Sequence, residues 1–329
     1  MTSTKKQKRV LIVDALNMFI RSYIVNPSIS SGGQPIGGVQ GFLKSLQKTI
    51  REVKPDEVVI CWDGDGGSQR RKQANKNYKE GRKPLRLNRN IKNLTEDEEI
   101  QNRTWQQFRI IEYLNNLPVI QLVFDGLEAD DVIAHIAGSP FYKGAQKVIV
   151  SMDKDFIQLL NKETVLMRPI VNEILNMKAV VEKFGIHPNN FALARAIAGD
   201  KSDNIQGIKG AGLPTIAKRF PFLREEKSHE TKTIVEFCME QENRLKIHER
   251  IIEEKRTILD NYKLMQLYSP AISPQTSRSI RNKISIPYRD FNKTAFLGLM
   301  LEDGIGQYNW NDLFTHSKKI SIEKLFSRE

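Results

Sequence analysis

Carboxylates that could do chemistry recur in five places along this chain. Asp14 and Asp63 stand singly, Glu128, Asp130 and Asp131 form a triplet, Asp153 and Asp155 form a pair, and Asp200 and Asp203 form another. Glu128, Asp130, Asp131, Asp153 and Asp155 are expected to gather at one site. Five carboxylates at close range cannot all stay ionised without cations, because like charges raise one another's pKa. The cations nearby in sequence are Lys143, Lys147 and Lys154. Hard divalent ions such as Mg²⁺ are the natural partners of an all-oxygen cluster. The chemistry this implies is metal-assisted displacement at phosphorus, with Mn²⁺ able to substitute. No Ser-His-Asp or Cys-His arrangement is visible, so a protein nucleophile has little support. His135 lies among Ile133, Ile136 and Ala137 and reads as a packing residue.

The elements that must position these groups are short β-branched runs. Arg9 to Val13, Glu57 to Trp62, Val119 to Phe124 and Lys147 to Val150 each read as a buried strand ending at a carboxylate. Residues 129–137 read as a helix between the last two runs. In an open α/β sheet, ligands bind beyond the carboxyl ends of the strands, where all these acids would lie. A single aspartate after a strand is ordinarily a turn residue or helix cap. The repetition at four strand ends argues for function. Further helices are expected at 39–53, 103–117, 178–184 and 189–198, with Trp105, Phe108, Ile110, Ile111 and Leu114 as core residues, and a strand at 164–167.

Residues 68–92 have another character. Arg70, Arg71, Lys72, Lys76, Lys79, Arg82, Lys83, Arg86, Arg89 and Lys92 are interrupted by one acid, Glu80. Such a run is ordinarily a solvated loop. It also suits a mobile arm that neutralises phosphates, with Tyr78 stacking on a base. Residues 199–219 carry Asp200, Asp203, Gly207, Lys209, Gly210, Gly212, Pro214 and Thr215 between two helical stretches, and read as a helix–hairpin–helix. Its glycines would let backbone approach a phosphate. The polar tract 222–230 reads as a linker. It divides the chain into a catalytic unit, 1–221, and a mainly helical one, 222–329.

Composition narrows the class. The 329 residues are 40% hydrophobic, enough for a sizeable core, and carry a net charge of +12, which by itself fits a solvated basic surface as well as a polyanion partner such as nucleic acid; the clustering of acids at strand ends and of cations elsewhere favours the partner. No apolar run is long enough to span a membrane and none suits a signal peptide. The two cysteines, Cys61 and Cys238, suit a reduced, cytoplasmic protein without a disulfide frame. The sequons at Asn93, Asn102 and Asn292 are then chance matches.

In order and spacing, Val13-Asp14-Ala15-Leu16-Asn17, Trp62-Asp63-Gly64, Tyr78-Lys79-Glu80-Gly81-Arg82, Glu128-Ala129-Asp130-Asp131, Ser151-Met152-Asp153-Lys154-Asp155 and Gly199-Asp200-Lys201-Ser202-Asp203-Asn204 resemble the structure-specific 5′-nucleases, or flap endonucleases and 5′-3′ exonucleases. The resemblance covers residues 9 to about 220. The helical carboxyl-terminal third looks most like the T-even-type phage ribonuclease H branch, which would place the protein in a host cytoplasm. The resemblance implies an α/β fold, a mostly parallel sheet flanked by helices, with a helix–hairpin–helix and a smaller helical domain. It implies that Asp14, Asp63, Glu128 and Asp130 hold one ion and Asp153, Asp155 and Asp203 a second, with Asp131 and Asp200 in support. Lys79 and Arg82 would contact the scissile phosphate. Arg70, Arg71, Lys76, Tyr78, Lys83 and the hairpin at Gly207, Lys209, Gly210, Gly212 and Thr215 would hold duplex DNA, the hairpin with a K⁺ ion. The implied substrates are flapped or primer-bearing DNA and RNA–DNA hybrids. A single-stranded-DNA-binding protein or sliding clamp would be a partner of what is expected to be a monomer. Two alternatives stand beside this reading: an endoribonuclease of the similar PIN type, and a duplex-binding module without catalysis.

Overall fold

The structure is a computed structural model that describes residues 7–80, 88–89, 91, 93–286, 291–306 and 308–326. In chain order it runs β1 (Arg9–Asp14), α1 (Ala15–Val25), α2 (Gly37–Val53), β2 (Glu57–Cys61), α3 (Gln69–Ala74), α4 (Glu96–Asn115), β3 (Ile120–Leu122), α5 (Ala129–Ala137), β4 (Gln146–Val150), β5 (Thr164–Arg168), β6 (Glu173–Leu175), α6 (Met177–Phe184), α7 (Pro188–Ala198), α8 (Leu213–Arg219), α9 (Thr231–Glu240), α10 (Lys246–Glu253), α11 (Lys255–Met265), α12 (Pro274–Ser285), α13 (Lys293–Glu302) and α14 (Asn311–Phe326). The sheet order is β3-β2-β1-β4-β5-β6. All pairings are parallel except β5 with β6.

The central strands are buried on both faces, as parallel sheets require. Val10 and Ile12 of β1 face one apolar cluster and Leu11 and Val13 face the other. In β2, Val59 and Cys61 alternate with Val58 and Ile60 in the same way. The first cluster lies under α5 and continues into α7, α9, α11 and α12. The second lies under α1, α2 and α4 and is closed by Phe296, Trp310, Leu313 and Phe314 from α13, α14 and the segment between them. The carboxyl-terminal third therefore contributes to both faces, and the core does not divide at residue 221.

The expected linker is also corrected. Asn190 is fully buried on α7 and its Nδ2 donates to the carbonyls of Leu223 (3.2 Å), Glu225 (3.1 Å) and Lys227 (2.9 Å). Its Oδ1 accepts from His229 N at 2.9 Å, so 222–230 is clamped to the body. Helix α4 starts seven residues before the expected 103, at a capping box in which Glu98 N bonds Thr95 Oγ1 (3.3 Å) and Thr95 N bonds Glu98 Oε2 (2.8 Å). Ile110 and Leu114 of this helix are buried, but Phe108 is 64% and Trp105 39% exposed, against the expectation that both are core. The basic stretch is not loop throughout. Its first part forms α3 and packs on the body, while Arg82, Lys83 and Arg86 lie outside the described residues.

Candidate active site

Strand register sets the site. Asp14 pairs in register with Cys61 of β2, and Val13 with Val150 of β4. Asp63 thus projects two residues past β2, and Ser151 comes level with Asp14, where Ser151 Oγ donates to Asp14 Oδ2 at 2.8 Å. Asp14 Oδ1 accepts from Asn17 N (3.2 Å), the N-terminal cap of α1. Asp63 Oδ1 accepts from Ala129 N at 2.6 Å, the first residue of α5. Gly64 makes that approach possible. A Cβ there would lie 1.8 Å from Phe124 O, so only glycine lets the two loops close on each other.

Asp14, Asp63, Glu128, Asp130, Asp153 and Asp203 line one cleft of about 360 Å³, with Lys79, Asn17 and Arg21. Burial pushes the Asp14 carboxyl up to about 7, against the pull of its Ser151 and Asn17 bonds and with the push of Asp63 and Asp153. Asp130 is also raised well above the ordinary carboxylate range, by burial and then by Asp153, Asp14, Asp63 and Glu128. Asp63 is raised by burial although one side of it meets solvent. Glu128 is the exception: despite its burial, Lys79 and Arg71 hold it below the usual carboxylate range. Lys79 Nζ is 2.6 Å from Glu128 Oε1. Lys79 itself has a φ of +58°, unusual for a residue with a side chain, and its N–H is fixed by Asp203 O at 2.9 Å.

Asp131, Asp155 and Asp200 do not line the cleft, although burial and the neighbouring Asp153 push Asp155 up to about 7. Arg71 is buried and bonds Asp131 through both arms of its fork (3.0 Å each), Glu128 through Nη1, and Leu264 O through Nε at 3.1 Å. The guanidinium is thereby committed inside the protein, which corrects the expectation that Arg71 contacts DNA. Arg195 of α7 pairs in the same way with Asp155 (3.0 Å) and Asp200. The cations that compensate these acids are two distant arginines, not the neighbouring lysines; Lys147 instead pairs with Glu163 at 2.7 Å. Tyr78 is corrected too. It is 4% exposed, clusters with Ile205, Leu264 and Met265, and presents no face to a base.

Arg70 and Lys76 are exposed, as are Lys209, Gly210 and Gly212 at the hairpin, with Thr215 half-buried. Gly207 differs from the expected phosphate contact: a Cβ there would meet Ala198 C and O at 2.1 Å, so the space beside it is filled by the chain's own backbone. Asn17 and Arg21 escaped the sequence reading. Their signal was spacing: Asp14, Asn17 and Arg21 fall three and four residues apart, on one face of α1. Among the described residues no three His, Cys, Asp or Glu side chains stand preassembled as a metal site. The donor set nevertheless fits divalent ions, since carboxylates raised by burial and by one another's charge are relieved by a hard cation. The described residues contain no helix long and apolar enough to cross a membrane.

Comparison with known proteins agrees with this geometry. Residues 9–185 match the family model described as 5′-3′ exonuclease, N-terminal resolvase-like domain. The chain is 30% identical over 213 residues to a 5′-3′ exonuclease of Aquifex aeolicus, covering 63% of this chain and 67% of that one. It is 33% identical over 208 residues to the thermostable DNA polymerase I of Thermus thermophilus, covering 63% of this chain but 23% of that protein. It thus spans about a quarter of its DNA polymerase I relatives. Among solved structures, the bacteriophage T5 D15 flap endonuclease in complex with DNA and metal ions has a TM-score of 0.63 at 16% identity, covering 91% of this chain and 100% of that one. The zinc-bound T5 5′-exonuclease has a TM-score of 0.60 at 16% identity, over 90% of this chain and 98% of that one. The second pair shows a shared fold, and the match to the family model extends over more than half of the sequence: the chain belongs to the 5′-3′ exonuclease family.

Proposed function

We propose that the chain hydrolyses phosphodiesters of 5′-flapped or primer-bearing duplexes, leaving a 5′-phosphate and a 3′-hydroxyl, with two Mg²⁺ ions. The observation that carries this is the single cleft lined by Asp14, Asp63, Glu128, Asp130, Asp153 and Asp203. Asp14, Asp63, Glu128 and Asp130 would hold one ion, and Asp153 with Asp203 the other. When bound, the ions supply charge stabilisation to the attacking and leaving oxygens. The protein does the rest. Arg71 and Tyr78 fix the Glu128 carboxylate. Arg195 ties Asp155 to Asp200 and so joins the loop after β4 to the hairpin. Lys79 and Arg21 bring positive charge to the cleft for the phosphate oxygens. Lys209, Gly210 and Gly212 lie exposed towards the duplex, with the Lys209 carbonyl held by Arg250 Nη1 at 2.9 Å, a setting in which K⁺ is a further ligand.

The test uses a flapped duplex labelled at either end of the flapped strand, with and without Mg²⁺. Cleavage of that strand alone, dependent on Mg²⁺ and reduced roughly 10²–10³-fold by Asp130→Asn, is expected. Metal-independent turnover, or an Asp130→Asn enzyme as fast as the wild type, would refute the assignment.

A further inference from the structure

Beside the carboxylate cleft lies a second cavity of about 250 Å³, and the two share Asn17 and Arg21. It opens past the ends of β4 and β5, against α1 and α2, beside the β1–β4 junction where the sheet changes direction. The chain leaves β1 through α1 on one face and arrives at β4 from α5 on the other. Crevices at such switch points are where open α/β sheets take ligands.

The chemistry of this cavity is the reverse of its neighbour's. Its described lining contains no carboxylate. Arg21 and Lys48 supply positive charge, Ser45 a hydroxyl, and Met18, Met152 and Ile170 an apolar surface. Asn17 stitches the shared wall, its Oδ1 accepting from Met152 N (3.2 Å) and Arg21 Nε (3.1 Å). Lys48 is held only loosely, 3.8 Å from Glu52 and 3.4 Å from Asn172 Oδ1. The volume is several times that of a water, whose share of the liquid is about 30 Å³.

We propose that this cavity receives the nucleotide adjoining the scissile phosphate, its base against Met18, Met152 and Ile170 and its own phosphate towards Arg21 and Lys48. The proposal rests on the nuclease reading of the neighbouring cleft. Thioether side chains adapt to any base shape, so the cavity demands that a base be present without selecting which one.

The test compares kcat/KM on a flapped duplex with that on duplexes carrying an abasic tetrahydrofuran unit on the 5′ or the 3′ side of the scissile phosphate. The wild type is expected to lose about tenfold at one of these positions, the scale of one base-stacking contact. Ser45→Phe, which fills the cavity, is expected to cut intact and abasic substrates at equal rates. Ile170→Ser, on an exposed turn where folding is not at risk, is expected to lose most of the preference. A wild type indifferent to both abasic positions overturns the proposal, as does an Ile170→Ser enzyme that keeps the full preference. A wild type that cuts none of the three duplexes in Mg²⁺ overturns the nuclease reading and this proposal with it, an outcome distinct from the other two.

Discussion

The acids of this protein divide by what neutralises them. Asp131 and Asp200 have arginine partners inside the protein, and so does Asp155, although burial and Asp153 still push it up to about 7; Asp14 and Asp130 face other carboxylates across a cleft. The raised carboxyls of Asp14, Asp130 and Asp155 make the metal-free fold pH-dependent. The Asp14 carboxyl titrates at about 7 in the folded chain and near its ordinary value, about 3.9, in the unfolded one. Between those values the folded state binds more protons, so this group destabilises progressively as pH rises through that window. His135, His187 and His248 act with the opposite sign, because burial lowers each of them. The difference between wild type and Asp14→Asn cancels the histidines. In chelator, Asp14→Asn should melt above the wild type at about pH 8, and the gap should close towards about pH 5. Added Mg²⁺ should reverse it by stabilising the wild type alone. A gap that does not change with pH would remove the repulsion argument.

At the scale of elements, the decisive devices are small. Thr95 and Glu98 set the start of α4, a signature written in the sequence as Thr-x-x-Glu ahead of a helical run. Arg71 joins α3 to α5 and α11. Asn190 binds four backbone groups of the segment after α8 with one amide, and no periodicity in 222–230 announces it. Asn190→Ala strands those groups, each costing about 1–3 kcal/mol where it stays dry. We expect a net loss of about 2–3 kcal/mol in urea unfolding, with new protease cleavage inside 222–230. An unchanged midpoint and cleavage pattern would show that the segment holds its place without this clamp.

For the whole molecule, charge is segregated. The net charge is +12 although the cleft is acidic, so the excess positive charge lies on other surfaces, including exposed Arg70, Lys76 and Lys209. Duplex affinity measured in Ca²⁺ or without metal should therefore fall at least tenfold between about 50 and 200 mM salt, through counterion release. Triple replacement of Arg70, Lys76 and Lys209 by Gln should flatten that dependence. A slope the replacement leaves intact would place the phosphate contacts elsewhere.

The five parallel strands, α5, α7 and the carboxylates at the strand ends were legible in the sequence, because buried parallel strands and helix caps are dictated by neighbours along the chain; the short antiparallel edge strand β6 was not. Asp14, Asp63, Glu128, Asp130, Asp153 and Asp203 could be singled out by type and position alone. Which of the acids share the cleft was decided by tertiary structure, since an arginine's choice of partner depends on residues brought close by folding: Arg71 meets Asp131 sixty positions away. The same holds for Tyr78, whose burial needs Leu264 and Met265 of α11, and for Gly207, whose space is taken by the backbone of Ala198. The core runs past residue 221 for the same reason. Polarity along 222–230 reports solvent exposure of side chains, while the backbone beneath them is fixed by a residue on another helix.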